Sequence, residues 1–325
     1  MKLLLSFVNS TLSLAGYDWD RGEIFWSIPS SQIKTCGICY HDADLWFASD
    51  DRVVQLCSNG DGNVITLSGP YDPQLHGIHF LNDNTLGVVD TGHSAVRIID
   101  KNGHQIEIFN PVASWLEVPQ DAIHLNDFVV TPQGLYASCF DYRPWRVIRE
   151  RISHEDWCTG GYGLILNLTG NARQGGGRIV GCGYNHPHSL NYVAPFLYLC
   201  SSSTGTFSIC EFSATGTLIE KSQHQITSDH FLRGACFFDN GWFLGGSTFR
   251  HDKLIADNIE IYYFDALAQT VQKKEIQGKG EIYDILPWND EIMKPIVKHH
   301  FSPSLTAKTD TLNTSRVAQK SISTG

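Results

Sequence analysis

The chain has 325 residues, 42% of them hydrophobic and 11% aromatic, with only 18% charged. That balance excludes disorder for the body of the chain and suits short, packed strands joined by polar turns better than long surface helices. The formal charge of −10 argues against nucleic acid or an anionic membrane as a partner, and no stretch approaches the roughly 18 apolar residues of a membrane span.

In chain order, Met1-Lys2-Leu3-Leu4-Leu5 begins an apolar run that Asn9, Ser10 and Thr11 interrupt short of a signal-peptide core, so it reads as a strand. The nine cysteines are odd in number, lack framework spacing and mostly sit inside apolar runs such as Leu197-Tyr198-Leu199-Cys200. They point to a reducing compartment and hence a cytoplasmic location. Cys36 and Cys39 form a lone C-x-x-C with no second pair at zinc-finger spacing, and are read as structural.

From Cys36 onward the chain repeats itself. Units starting at Cys36, His76, Asn126, His188 and Arg233 are 40, 50, 62 and 45 residues apart. Each carries a polar or sulfur-bearing residue, then a small or acidic one, then an apolar strand, a polar turn and a second apolar strand. A period of roughly 40–50 residues with hairpin signals identifies propeller blades of four strands. In the Asn126 unit, the stretch of about 149–177 reads as a loop insertion with one short helix. A sixth first strand, Tyr283-Asp284-Ile285-Leu286-Pro287-Trp288, lacks its three partners, and the segment from Leu5 resembles the second to fourth strands of the His188 unit. The prediction is an all-β, six-bladed β-propeller over 1–290, closed by pairing this C-terminal first strand with three N-terminal ones. A mobile tail is expected over 291–325.

The stretch LHGIHFLNDNTLGVVDTGHSAVRIID, from Leu75, resembles an NHL-type propeller repeat. From Leu75 to Trp288 the chain is similar to a family of mostly bacterial propellers with no assigned activity. That similarity is carried by His124-Leu125-Asn126-Asp127, Pro187-His188-Ser189, Ser203-Thr204-Gly205, Phe231-Leu232-Arg233-Gly234 and Glu281-Ile282-Tyr283-Asp284. A looser likeness to gluconolactonase-type propellers implies lactone hydrolysis with a central divalent metal, although their ligand set is not reproduced position by position.

The first strand of each blade lines the central channel, so equivalent starts of these strands converge at one mouth. They read Cys36, His76, Asn126, His188, Arg233 and Tyr283, followed by Gly37, Gly77, Asp127, Ser189, Gly234 and Asp284, with His124, His186 and Glu281 two residues upstream of ring positions. One reading is a set of polar groups bonded to one another and to channel water. The other is a pocket for a small, anionic molecule, with His76, His188, Asp127 and Glu281 as acid–base residues and Asn126, Arg233, Tyr283 and His124 as ligand-binding ones. There a guanidinium grips a carboxylate or phosphate through paired hydrogen bonds. In a competing chemistry His76, His124, His188 and Asp127 would hold a divalent metal that activates water for ester or lactone hydrolysis. A protein-interaction scaffold is the remaining alternative, with Trp115, Trp145 and Trp157 as exposed anchors.

Overall fold

The computed structural model describes residues 1–111, 120–141, 153–169, 177–248, 259–277 and 280–301. Six sheets of four antiparallel strands form a β-propeller. Blade one takes β1 (Lys2–Val8), β2 (Leu12–Asp18) and β3 (Glu23–Pro29) from one end of the chain and β24 (Glu281–Pro287) from the other. The N-terminal apolar run is therefore a strand, and Leu3, Leu4 and Leu5 pair with Pro287, Leu286 and Ile285. This is the closure that the orphan sixth strand predicts.

The remaining blades follow in sequence. Blade two is β4–β7 (residues 38–66), blade three β8–β11 (75–109), blade four β12–β15 (125–184), blade five β16–β19 (187–225) and blade six β20–β23 (230–276). Inner strands are apolar and buried, whereas outer ones alternate: LSLAGYD of β2 is buried at five successive positions, and EIFWSIP of β3 is mostly exposed. Six apolar clusters result, one between each pair of neighbouring blades. The core is thus a ring of interfaces, and no blade buries its apolar face alone.

Two parts of the sequence reading need correction. The third strand of blade four is Gly163–Asn167, within the stretch read as an insertion, and it pairs with the second strand through Ala137↔Leu166 and Ser138↔Ile165. Leu164, Ile165 and Leu166 are all buried there; residues 142–152 lie outside the described ones. The short helix expected in this region is present at His154–Thr159. The second correction concerns the tail, because Asp290–His300 is a helix. Asn289 caps it by accepting from the Glu291 and Ile292 amides, acids occupy its first turn, and Lys298, His299 and His300 its last, as the helix dipole favours. Ile292, Met293 and Ile296 bury against blades one and two, and the His300 ring bonds to the carbonyl of Cys57 at 3.0 Å. Residues 302–325 lie outside the described ones.

A chain ending at Gly280 is expected to show no cooperative melt, because blade one then loses its inner strand. One ending at Trp288 should melt cooperatively at a lower temperature than the full chain. Thermal unfolding followed by far-UV circular dichroism checks both, and an unchanged melt for the Gly280 truncation contradicts the closure.

Candidate functional site at the channel mouth

Five of the six first strands carry a register shift at the predicted ring position or just after it. The extra residues fall at His76-Gly77, Asn126, Ser189-Leu190, Gly234 and Tyr283. A bulge leaves one residue outside the ladder and re-aims its side chain, as for His76, Asn126 and Tyr283, whereas His188 and Arg233 stay in the ladder immediately before their bulges. His124 and His186, two residues upstream of ring positions, both have left-handed backbone (φ 49° and 50°), a conformation that costs a non-glycine residue about 1–2 kcal/mol.

The side chains so placed meet in a closed circuit. Ring centroids run from His76 to His124 (5.7 Å), His124 to Phe140 (4.4 Å), Phe140 to His188 (4.9 Å) and His188 to Phe231 (5.3 Å). The Arg233 guanidinium then lies 5.0 Å from the Phe231 ring and 5.6 Å from that of Tyr283, which returns to His76 at 5.4 Å. Seven side chains from blades one, three, four, five and six therefore close one ring.

Within this ring the hydrogen bonds fix the chemistry of each group. His76 Nδ1 donates to Asn126 Oδ1 at 3.0 Å. His188 Nδ1 lies 2.9 Å from the His186 carbonyl and 2.7 Å from Ser202 Oγ; a carbonyl only accepts, so Nδ1 carries the hydrogen and Nε2 keeps its lone pair. His188 Nε2 and Asn126 Nδ2 are buried with no hydrogen-bond partner among the described residues, on side chains 3% and 1% exposed. Burial, with the nearby His124 and Arg233, pushes the His76 pKa down to about 3. Burial and Arg233 likewise hold His188 well below the ordinary imidazole range. Both imidazoles are neutral at pH 7.

Arg233 differs from the expectation. Its Nη1 donates to Glu281 Oε2 at 3.1 Å, both residues are buried, and Glu281 also accepts from Asn9 Nδ2 at 3.2 Å. The guanidinium that was to grip an anion already faces a carboxylate, and Glu281 is its counter-ion instead of an acid–base group. His124 is likewise engaged, with Nδ1 3.0 Å from Asp121 Oδ1.

Asp127 turns its carboxylate to the neighbouring blades. Its Oδ2 accepts from the Leu190 amide of the next blade at 2.8 Å, and its Oδ1 from its own neighbour Phe128 at 2.8 Å and from His79 Nε2 at 3.2 Å. Asp284 repeats this between blades one and two, accepting from the Ile38 and Ile285 amides. Burial, followed by the charge of Asp127, raises Asp284 to about 7 against the pull of the Ile38 amide. His79 titrates above its ordinary value: burial opposes this, but the bond to Asp127 and that carboxylate's charge outweigh it.

A metal centre does not fit these residues. No group of three or more His, Cys, Asp or Glu side chains among the described ones is arranged to hold an ion, and Asp127's oxygens and His188 Nδ1 are already committed. The sequence reading missed His79, Phe140 and Phe231. Phe231 stands two residues before Arg233, the same offset as His124 and His186, and was findable by it; His79 lies three residues after His76 on the same first strand. Trp115 and Trp145 lie outside the described residues, as does the side chain of Trp157.

No family model and no curated protein matches the sequence. Solved structures match its fold. A protein of unknown function from Bacteroides caccae overlays with a TM-score of 0.62 at 12% identity, over 88% of this chain and 98% of that one. A chain of the nidogen/laminin complex follows at 0.53 and 12%, over 87% and 97%. Virginiamycin B lyase from Staphylococcus aureus follows at 0.51 and 11%, over 84% of each chain. These identities establish a six-bladed propeller and nothing finer.

Two measurements test these assignments. Asp127→Ala should destabilise by about 2–5 kcal/mol, since it leaves buried amides in two blades unpaired; denaturant unfolding that shows less than about 1 kcal/mol, nearer the scale of a surface change, would return Asp127 to the candidate acid–base residues. Neutral His76 stabilises above the unfolded-state pKa of 6.5, and that contribution is lost as pH falls from 6.5 toward about 3. His76→Gln should therefore flatten the stability-against-pH slope in that window by up to about 1.4 kcal/mol per pH unit. Equal slopes would mean that His76 titrates normally.

Proposed function

We propose that the chain binds a small molecule at the channel mouth and acts on it by acid–base chemistry, with His188 as the base and His76, Asn126, Arg233 and Tyr283 around it. The reading is carried by two buried polar atoms without partners, His188 Nε2 and Asn126 Nδ2, within one closed ring of side chains. An unsatisfied buried donor or acceptor costs about 1–3 kcal/mol, which a ligand bonding to both would offset. A neutral imidazole whose Nδ1–H is held by a carbonyl is also in the state that a general base requires. Hydrolysis of an ester or lactone and elimination from a carbon acid both draw on such a base. Virginiamycin B lyase shares the fold, an analogy at fold level only. All nine cysteines are free thiols, which supports a reducing, cytoplasmic setting.

The test is a thermal-shift screen of esters, lactones and carboxamides on the wild type and on His188→Ala, each compared with its own unliganded melt. Compounds that stabilise the wild type by several degrees should fail to shift the variant. Equal shifts in both would remove the mouth from consideration as the site.

A further inference from the structure

The ring's unpartnered atoms also restrict what it can hold. His188 Nε2 offers a lone pair from the first strand of blade five, and Asn126 Nδ2 offers hydrogens from the first strand of blade four. We propose that the mouth takes an uncharged ligand carrying both a hydrogen-bond donor and a carbonyl acceptor, as a carboxamide or lactam does, in place of a carboxylate or phosphate. The inference rests on the mouth being the binding site.

Three observations favour the uncharged class. A carboxylate has no hydrogen to give, so it would set its own lone pairs against His188 Nε2, and that imidazole resists protonation because burial and Arg233 both disfavour its charged form. Arg233 has its charge matched by Glu281 at 3.1 Å and lies over two aromatic rings, so a second anion would crowd a buried carboxylate. Among the described residues, the Arg233 guanidinium and the His79 ring are each seated against a carboxylate, Glu281 and Asp127 respectively. An amide instead supplies N–H to His188 Nε2 and accepts from Asn126 Nδ2, and the rings of Phe140, Phe231 and Tyr283 give its flat face apolar walls.

The experiment uses the full chain and matched probes, benzamide against benzoate and nicotinamide against nicotinate, with inorganic phosphate as a further anion. Imidazole ¹H–¹⁵N correlation spectra report binding at His76 and His188 and also report their tautomers. The expected result is an Nδ1–H tautomer for His188, amides that shift both imidazoles, and at least about tenfold weaker binding of the paired acids. Asn126→Asp, which exchanges the donor for an acceptor, should lose amide binding by a similar factor. If the acids or phosphate shift these imidazoles more strongly than the amides, or if His188 carries its hydrogen on Nε2, the ligand class is overturned while the site stands. If no probe moves either imidazole at about 10 mM, a concentration that detects millimolar affinity, both the class and the site fall.

Discussion

Two carboxylates hold the wall of the channel. Asp127 receives the His79 ring from blade three and the Leu190 amide from blade five, while seated itself in blade four. Asp284, in blade one, receives the Ile38 amide of blade two. Each stands beside a glycine of the preceding blade: a Cβ on Gly77 would fall 2.3 Å from Asp127 Oδ1, and Gly234, at φ +66°, would meet the backbone of Asp284. The six blades therefore divide into two triplets, glycine, aspartate and donor amide, related by an approximate half-turn about the channel. Asn191 to the Ala235 carbonyl and the Gly37 amide to the His76 carbonyl close the two junctions between triplets. In blades one and four the residue after the bulge, an aspartate, turns its side chain to the neighbouring blade, while the ring residue before it, Tyr283 or Asn126, meets His76.

The same division explains what the sequence could and could not reveal. Blade number, closure and the six ring positions follow from a repeat whose spacing survives even where strands differ. The partners of Asp127 were not legible because alignment reports a residue's row and not its direction: a bulge shifts the pleat by one residue, and the side chain one place later reaches the neighbouring blade. Arg233 and Glu281 were each recognised, but their pairing joins blades six and one across 48 residues, and nothing local encodes it. The helix at Asp290–His300 escaped because its apolar face is short, Ile292, Met293 and Ile296, in a segment of mixed charge with Pro295 inside. Its stability comes from the surface it covers on blades one and two more than from its own propensity.

Fold likeness does not choose between a ligand site and an interaction scaffold, since a lyase and a chain of the nidogen/laminin complex are similar to this protein at nearly the same low identity. The distribution of exposed apolar side chains is more informative. Phe25, Val64, Ile106, Ile108, Ile179, Ile219 and Val271 lie on outermost strands, at least one in each blade. An interface core of the usual kind gathers such residues into one patch. Phe140, Phe231 and Tyr283, by contrast, belong to the ring at the mouth.

Electrostatics within the channel separates two layers. At the mouth, burial strips the imidazoles of their charge and leaves His188 with a lone pair. In the wall, the bond to Asp127 and that carboxylate's charge raise the His79 pKa against burial, while burial and the same charge raise Asp284 to about 7. The two layers respond oppositely to acid: protonation is disfavoured in the upper ring and accommodated in the lower one. On the proposed reading, a base that takes a proton at the mouth does so against its surroundings, so the burial that keeps the imidazole neutral also weakens it as a base. His124 and His186 flank that upper layer and are two of eleven non-glycine residues with left-handed backbone among the described ones.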